Sequence, residues 1–430
     1  MQPTRDLLAS DSYYTQSAPP APPWPALAGD VDCDVAIVGG GFAGLSAAIE
    51  LADRGLRVCL LEAKTIGWGA SGRNGGQALP GLACDIGVVA RQLGAADARR
   101  IFDLTAAALQ LIRDRCARFA IDCDWQAGAL TVAVGARRAR ALRAWHDELA
   151  RDYGYAAMRW IGADAVRGWV DSPRYDAAVF DPGAGHLHPL KYAHGLARAA
   201  AGLGVRLHEH SQVTALERGA RLRLTTAAGT VRCAQALLAG NVYLDRLAPS
   251  IATRIMPVGT YIAATAPLSA AQAQRLIPSR AAVSDTQFVL DYFRLSADER
   301  LLFGGRVSYS GVTPPRLGAA MRRRIAAVFP PLAGVAIESC WGGYVDITLN
   351  RAPDFGRLAP NLYYLQGFSG HGVGLTAIAG LVAAEAMAGQ RERFDLFARL
   401  RHRDFPGGPA LRVPALVLAM LWYRLRDLIG

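Results

Sequence analysis

Lysine is almost missing from this 430-residue chain. Only Lys64 and Lys191 occur, so a net charge of +11 is carried almost wholly by arginine. The denser arginine groups, Arg137 to Arg140, Arg322 to Arg324 and Arg399 to Arg403, stand where amphipathic helices have a solvated face. No aromatic residues interleave with them, as binding to single-stranded nucleic acid requires, so nucleic-acid binding is not expected. Cysteine is sparse too. The seven cysteines are odd in number, widely spaced and free of any C-x-x-C pair, which points away from a disulfide framework and a zinc site. His186-Leu187-His188 puts two imidazoles on one strand face, but no Cys, Asp or Glu cluster joins them, and no metal is expected. Charged residues make up 19% and apolar residues 52% of the chain, too apolar for intrinsic disorder. No apolar run reaches the roughly 20 residues of a spanning helix. The longest late run, Val413 to Tyr423, is broken by Pro414 and has basic flanks, so it reads as a final helix packed on the protein or lying on a membrane surface. The opening residues Met1 to Asp6 lack a basic end followed by an apolar core, and a reducing cytoplasm is the expected location.

What the chain has is clustered glycine, 45 residues in all, on a length that suits two or three domains. After a proline-rich arm, Ala18 to Pro25, the apolar run Asp34-Val35-Ala36-Ile37-Val38 reads as a buried parallel strand. Gly39-Gly40-Gly41-Phe42-Ala43-Gly44 follows at once and opens a helix with Leu45, Ala48, Ile49 and Ala52 on one stripe. A second apolar strand, Arg57 to Leu61, ends at Glu62. Gly39 allows a tight turn, Gly41 lets the backbone approach a pyrophosphate, and Gly44 lets helix and strand pack closely. Glu62, 18 residues past Gly44, is placed to accept hydrogen bonds from ribose hydroxyls. A lone glycine motif is weak; between two apolar strands with an acid at the end of the second, it predicts dinucleotide binding.

Two further glycine-rich segments favour FAD over NAD. Gly67-Trp68-Gly69-Ala70-Ser71-Gly72-Arg73-Asn74-Gly75-Gly76-Gln77 offers hydroxyl, amide and bare backbone donors to a second face of a large ligand. At the far end, Leu362 to Leu365 reads as a strand running into Gln366-Gly367-Phe368-Ser369-Gly370-His371-Gly372-Val373-Gly374-Leu375 and an alanine-rich helix. A nicotinamide cofactor needs only the first loop. FAD extends to a flavin ring that needs its own donors, and a helix N-terminus suits the negative charge of its reduced form.

These runs, with Glu62-Ala63, resemble the FAD-dependent D-amino-acid-oxidase-type family, and within it the gamma-glutamylputrescine oxidoreductase subgroup. The likeness extends from Tyr13-Tyr14 through His188 to Tyr192, Leu301 to Arg306 and Trp341 to Tyr344, as far as the tail Trp422 to Asp427. It implies an α/β chain in which a Rossmann-like FAD-binding domain (30–90, 182–248 and 345–408) is interleaved with an α+β substrate domain built on an antiparallel sheet (91–181 and 249–344). An arm (1–29) and a C-terminal helix (409–430) flank them. The second cofactor block is expected to start with a helical stripe, Ala193, Leu196, Ala197 and Ala200, and a strand, Val205 to His208. Val213 would then stand beside the adenine, with Ala239 and Gly240 under the cofactor's middle. Period-2 stretches at 131–134, 288–294 and 300–303 read as the substrate sheet.

Flavin oxidation of an amine asks the protein mainly for orientation and desolvation. Tyr261, Tyr292, Arg306, Trp341 and Tyr344 are the candidate substrate residues, because they fall in the expected roof over the flavin or just before the last FAD strand. Each residue type equally suits a core aromatic or a surface arginine. Arg306 would suit a substrate carboxylate as a bidentate partner. His371, between two glycines, is expected to make polar contact with the flavin, and Tyr292, Arg306, Tyr344 and His371 form the candidate catalytic set. Some relatives in the wider family use a lysine over the flavin to assist oxygen; neither lysine here lies in such a strand, which leaves Arg306 or His371 to supply positive charge. Matched to sarcosine-oxidase-like relatives, Gly343 stands at their covalent linking position, with Cys340 three residues short, so FAD is expected to be non-covalent.

The expected activity is FAD-dependent oxidation of an amine, gamma-glutamylputrescine or a similar acylated polyamine, to an aldehyde with release of ammonia and hydrogen peroxide. Two alternatives stay open: a D-amino-acid or secondary-amine dehydrogenase passing electrons to a membrane quinone, and an RNA-associated flavoprotein.

Overall fold

A computed structural model describes residues 11–406, apart from 245, 288 and 309–315 and the side chains of 306 and 308. The first apolar run forms the strand Val31–Val38, with Val35, Ala36 and Ile37 fully buried. A strand apolar on both faces must be covered on both. It lies inside an eight-stranded sheet, between Thr230–Leu238 and Val58–Leu61, parallel to each. Leu362–Gln366 and Arg206–His208 extend the parallel order outward, and Asp354–Ala359 closes one edge antiparallel. Ala215–Glu217 and Leu222–Thr225 form an antiparallel arm on Thr230–Leu238.

Helix Phe42–Asp53 follows the first glycine turn, and Pro189–Gly202 precedes Arg206–His208. The alanine-rich helix Gly372–Met387 is buried almost throughout, because Phe42–Asp53 and Ala95–Arg118 both pack on it. The crossing with Phe42–Asp53 is close: a Cβ at Gly380 would stand 2.4 Å from the Ser46 side chain. Ser46 Oγ donates to the Ala377 carbonyl at 2.7 Å across the same contact. This crossing sets two helix N-termini side by side at the carboxyl ends of the parallel strands.

Among the described residues the second sheet has nine strands, ordered Ile337–Thr348, Ile255–Thr265, Leu301–Ser308, Tyr292–Leu295, Ala282–Asp285, Gln126–Ala133, Ala177–His186 and Gln77–Ala78, with Arg159–Ile161 also on Ala177–His186. All its pairs are antiparallel but one. Ala282–Asp285 runs parallel to Gln126–Ala133, since the chain passes through the first sheet between them and no hairpin joins them. The fold is thus the mixed α/β architecture expected, a parallel sheet interleaved in sequence with a largely antiparallel one.

Several details differ from the sequence reading. The expected strand 288–294 is confined to Tyr292–Leu295, because Asp285 closes a turn ahead of it by accepting the Gln287 and Asp291 amides at 3.0 and 3.1 Å. Ala177–His186 runs through the expected division at 181/182, Ile337–Thr348 runs through that at 344/345, and Gln77–Ala78 pairs into the second sheet. The segment 409–430 lies outside the described residues. Among the described residues no single helix is long and apolar enough to cross a membrane.

Candidate functional site

A groove follows the carboxyl ends of the parallel strands, where open α/β sheets receive ligands. At its floor, Gly39 adopts φ +113°, and a Cβ there would stand 2.6 Å from the Ala239 carbonyl oxygen. Gly44 is packed harder still, its Cβ position 2.0 Å from the Gly39 oxygen, so it joins helix to turn rather than facing the groove. Gly41 does face the groove. A Cβ on it would reach 2.8 Å from Ser71 Oγ, which itself accepts the first helical N–H, that of Phe42, at 2.9 Å. Ala43 lines the groove one residue on, at the positive end of the Phe42–Asp53 helix.

Glu62 reaches the groove from the end of Val58–Leu61. Its carboxylate accepts the Gly40 amide at 2.7 Å and the Lys64 amide at 2.8 Å. Burial raises its pKa above the ordinary carboxylate value, while those amides pull the other way. Ala63 is exposed and off the groove lining. Val213 packs in the core cluster of Cys59 and Leu61 and also stands off the lining. Ala239 and Gly240 line it as expected.

The 67–77 loop divides its residues between several tasks. Ser71 and Asn74 line the groove, and the Asn74 amide also ties the loop to itself, donating to the Ala70 and Ser71 carbonyls at 2.9 Å and accepting the Gly76 amide at 2.8 Å. Gly72 and Arg73 instead line a separate cavity under the proline-rich arm. Gly75 lies under the ring of Tyr292, and Gly76, at φ +79°, has the Leu187 carbonyl where a Cβ would go. Gln77 is occupied by the second sheet: its Nε2 donates to the Val283 carbonyl at 3.0 Å and its Oε1 accepts from Ser284 Oγ at 2.9 Å.

At the third loop, Gly370, Gly372 and Val373 line the groove at the start of Gly372–Met387. Gly367, at φ +79°, is held from behind. Its amide and that of Phe368 donate to one Asp346 oxygen, at 2.5 and 3.2 Å. Gly374 and Leu375 do not reach the groove: the helical turn carries Gly374 against the Leu79 carbonyl and Leu375, 2% exposed, into the core. The His371 ring has Nε2 3.0 Å from the Pro80 carbonyl, so that nitrogen carries the proton and donates. Burial lowers its pKa, which keeps the imidazole neutral. Of the two candidates for positive charge, Arg306 and His371, that direction disfavours His371.

The candidate roof residues are split by strand alternation. Tyr261 and Tyr344 share one face of the second sheet, packed together with Val242 and Leu317. Trp341 and Tyr292 share the opposite face with Ile262 and Tyr14. Trp341 Nε1 donates to the Arg73 carbonyl at 2.9 Å. The backbone of Arg306 pairs with Tyr261, while its side chain lies outside the described residues. Of the lysines, Lys64 lies near the Trp68 ring and Lys191 pairs with Asp124 at 2.8 Å, neither on the second sheet.

Sequence reasoning missed Tyr243 and Asp346 on the groove, which Asn241 and Thr376 also line. Tyr243, 40% exposed, forms a lip tilted against Trp68 at 5.6 Å. Asp346 is 2% exposed, and burial raises its pKa to about 6. An acid inside the apolar strand Ile337–Thr348 was the available signal for it. Asn241 follows Gly240 directly, and its side chain hydrogen-bonds to Asp346.

Comparison with known proteins agrees with this geometry. The FAD dependent oxidoreductase (DAO) family matches residues 34–386. Gamma-glutamylputrescine oxidoreductase of Escherichia coli (strain K12) is 42% identical over 98% of this chain and 99% of its own. A probable oxidoreductase, OrdL, of Haemophilus influenzae is 38% identical over 97% of both chains. The crystal structure of glycine oxidase from Bacillus cereus ATCC 14579 superposes with a TM-score of 0.71 at 22% identity, covering 86% of this chain and 99% of that one. The chain belongs to the FAD-dependent oxidoreductase (DAO) family.

Proposed function

We propose that this protein oxidises the primary amine of gamma-glutamylputrescine, or of a closely similar acylated polyamine, to an aldehyde. One substrate, one oxygen and one water yield one aldehyde, one ammonia and one hydrogen peroxide. The full-length 42% identity to a gamma-glutamylputrescine oxidoreductase carries the reading. The groove supports it, because the residues present fit FAD: Gly41 has no side chain where the pyrophosphate would lie, the Phe42–Asp53 helix opens beside it, and the Glu62 carboxylate stands where a ribose would be held.

The chemistry FAD supplies when bound is acceptance of a hydride from the carbon bearing the amine. The chain's own residues hold, orient and desolvate. Ser71 Oγ and the Ala43 end of the helix would meet phosphate oxygens, and the Gly370 to Val373 turn would meet the flavin end. Tyr243 and Trp68 at the lip, backed through Val242 by Tyr261 and Tyr344, give an aromatic wall suited to an amine part way to cation. Release of the aldehyde needs only water. Attachment would be non-covalent, since Gly343 has no reactive side chain and Cys340 is not on the groove lining.

The test is stoichiometry in air. With gamma-glutamylputrescine the purified protein should form ammonia and hydrogen peroxide in equal amounts; ammonia without peroxide would replace oxygen by another acceptor, and neither product would remove the substrate assignment.

A further inference from the structure

Arg294 is 3% exposed, yet no carboxylate among the described residues pairs with it. Its guanidinium is surrounded by neutral acceptors. Nε donates to the Gly75 carbonyl at 2.7 Å, Nη2 to the Leu187 carbonyl at 2.9 Å and to Tyr14 Oη at 3.2 Å, and Nη1 to the Leu295 carbonyl at 3.3 Å. A buried guanidinium is costly unless hydrogen-bonded and matched by an opposite charge. Here the first condition is met and the second is not.

Its position relates it to the groove. A Cβ at Gly76 would stand 2.9 Å from Arg294 Nη2, so the guanidinium lies directly against the Gly75-Gly76 backbone. The Gly76 amide donates to Asn74 Oδ1, and Asn74 lines the groove and is bonded to the Ser71 carbonyl. Arg294 thus stands one turn behind the groove wall and fixes the loop that forms it. The same charge contributes to keeping His186 and His188 neutral, after burial, the larger cause for both. No nearby histidine therefore adds to or competes with it.

We propose that Arg294 is a positioning residue for the cofactor: its fork locks the Asn74–Gly76 turn, and its unpaired charge is the fixed counter-charge for the electron pair that FAD gains on reduction. The inference rests on the cofactor being FAD. Failure of that reading would show in the wild-type protein itself, which would carry no flavin absorbance.

Two variants separate lock from charge. Arg294→Lys keeps the charge and loses the fork. It should bind FAD at least about tenfold more weakly, by fluorescence titration of apoprotein, at an unchanged midpoint potential. Arg294→Met loses both, and its midpoint potential should fall by at least about 30 mV, a tenfold change for a two-electron couple. Met at wild-type potential would overturn the counter-charge, and Lys at wild-type FAD affinity would overturn the lock. Should Arg294→Met fail to fold, Arg294→Lys decides alone: unchanged affinity, or a potential lowered by more than about 30 mV with the charge retained, would overturn the proposal.

Discussion

The ring of Tyr292 lies over the backbone of Gly75, so near that a Cβ at Gly75 would stand 2.8 Å from Cε2. The same ring also fills the space above Gly304, where a Cβ would stand 2.0 Å from Cζ. One aromatic ring therefore joins the cofactor loop to the second sheet through two glycines. Gly304→Ala forces the ring off its site and should cost about 1–3 kcal/mol of stability. Tyr292→Phe keeps the ring and should cost far less, whereas Tyr292→Ala should cost about 3–5 kcal/mol. Urea unfolding of the three variants checks the order; Gly304→Ala as stable as wild type would refute the joint.

Glu62 offers a different test. Its carboxylate already accepts two backbone amides and faces the groove. Hydrogen bonds to a charged group are worth about 1.5–3 kcal/mol. Glu62→Gln should therefore weaken FAD binding roughly 10- to 100-fold. Equal FAD affinity in the two proteins, by equilibrium dialysis, would take Glu62 out of the cofactor site.

Asp346 gives a pH dependence with a definite sign. Burial raises its pKa from 3.8 to about 6, so the folded protein holds this proton more tightly than the unfolded chain does. Its contribution to stability then falls as pH rises from about 4 to about 6, and the cost is complete above 6. Asp346→Asn keeps an oxygen to accept the Gly367 and Phe368 amides and removes the titration. The variant should gain on wild type by up to about 3 kcal/mol across that window and hold a constant difference above it. Denaturation curves at pH 4.5 to 7 that stay parallel would contradict this.

His371 should be silent in the pH profile. Burial lowers its pKa, outweighing the hydrogen bond to Pro80, which favours the charged form, so the neutral ring is favoured. His371→Gln should leave the pH dependence of kcat/KM unchanged in shape, whatever its effect on magnitude. A limb near the ordinary histidine value that disappears in the variant would show a charged His371.

The legible part of this site was local in sequence. Gly39, Gly41 and Glu62 follow from one strand, one turn and the next strand, because their spacing is set by the turn and helix themselves. The expected roof residues were located in their strands, but not on their faces. Tyr261 and Tyr344 stand on one face of the second sheet and Trp341 on the other, which depends on pairing between strands 80 residues apart. Arg294 was invisible for the same reason, and for Asp346 only its presence in an apolar strand was visible, not its partners. Arg294 has partners at Tyr14, Gly75 and Leu187, and Asp346 at Gly367 and Phe368, contacts that no local pattern announces. The scarcity of lysine was informative as an absence, and the structure turns that question toward Arg294.

The most direct measurement is anaerobic mixing of the purified yellow protein with gamma-glutamylputrescine, followed by visible absorption. The account predicts rapid loss of the oxidised flavin band, with full return on admission of air. A flavin that stays oxidised in the presence of this amine would contradict the proposed substrate, and one that bleaches but recovers only slowly in air would contradict the oxidase.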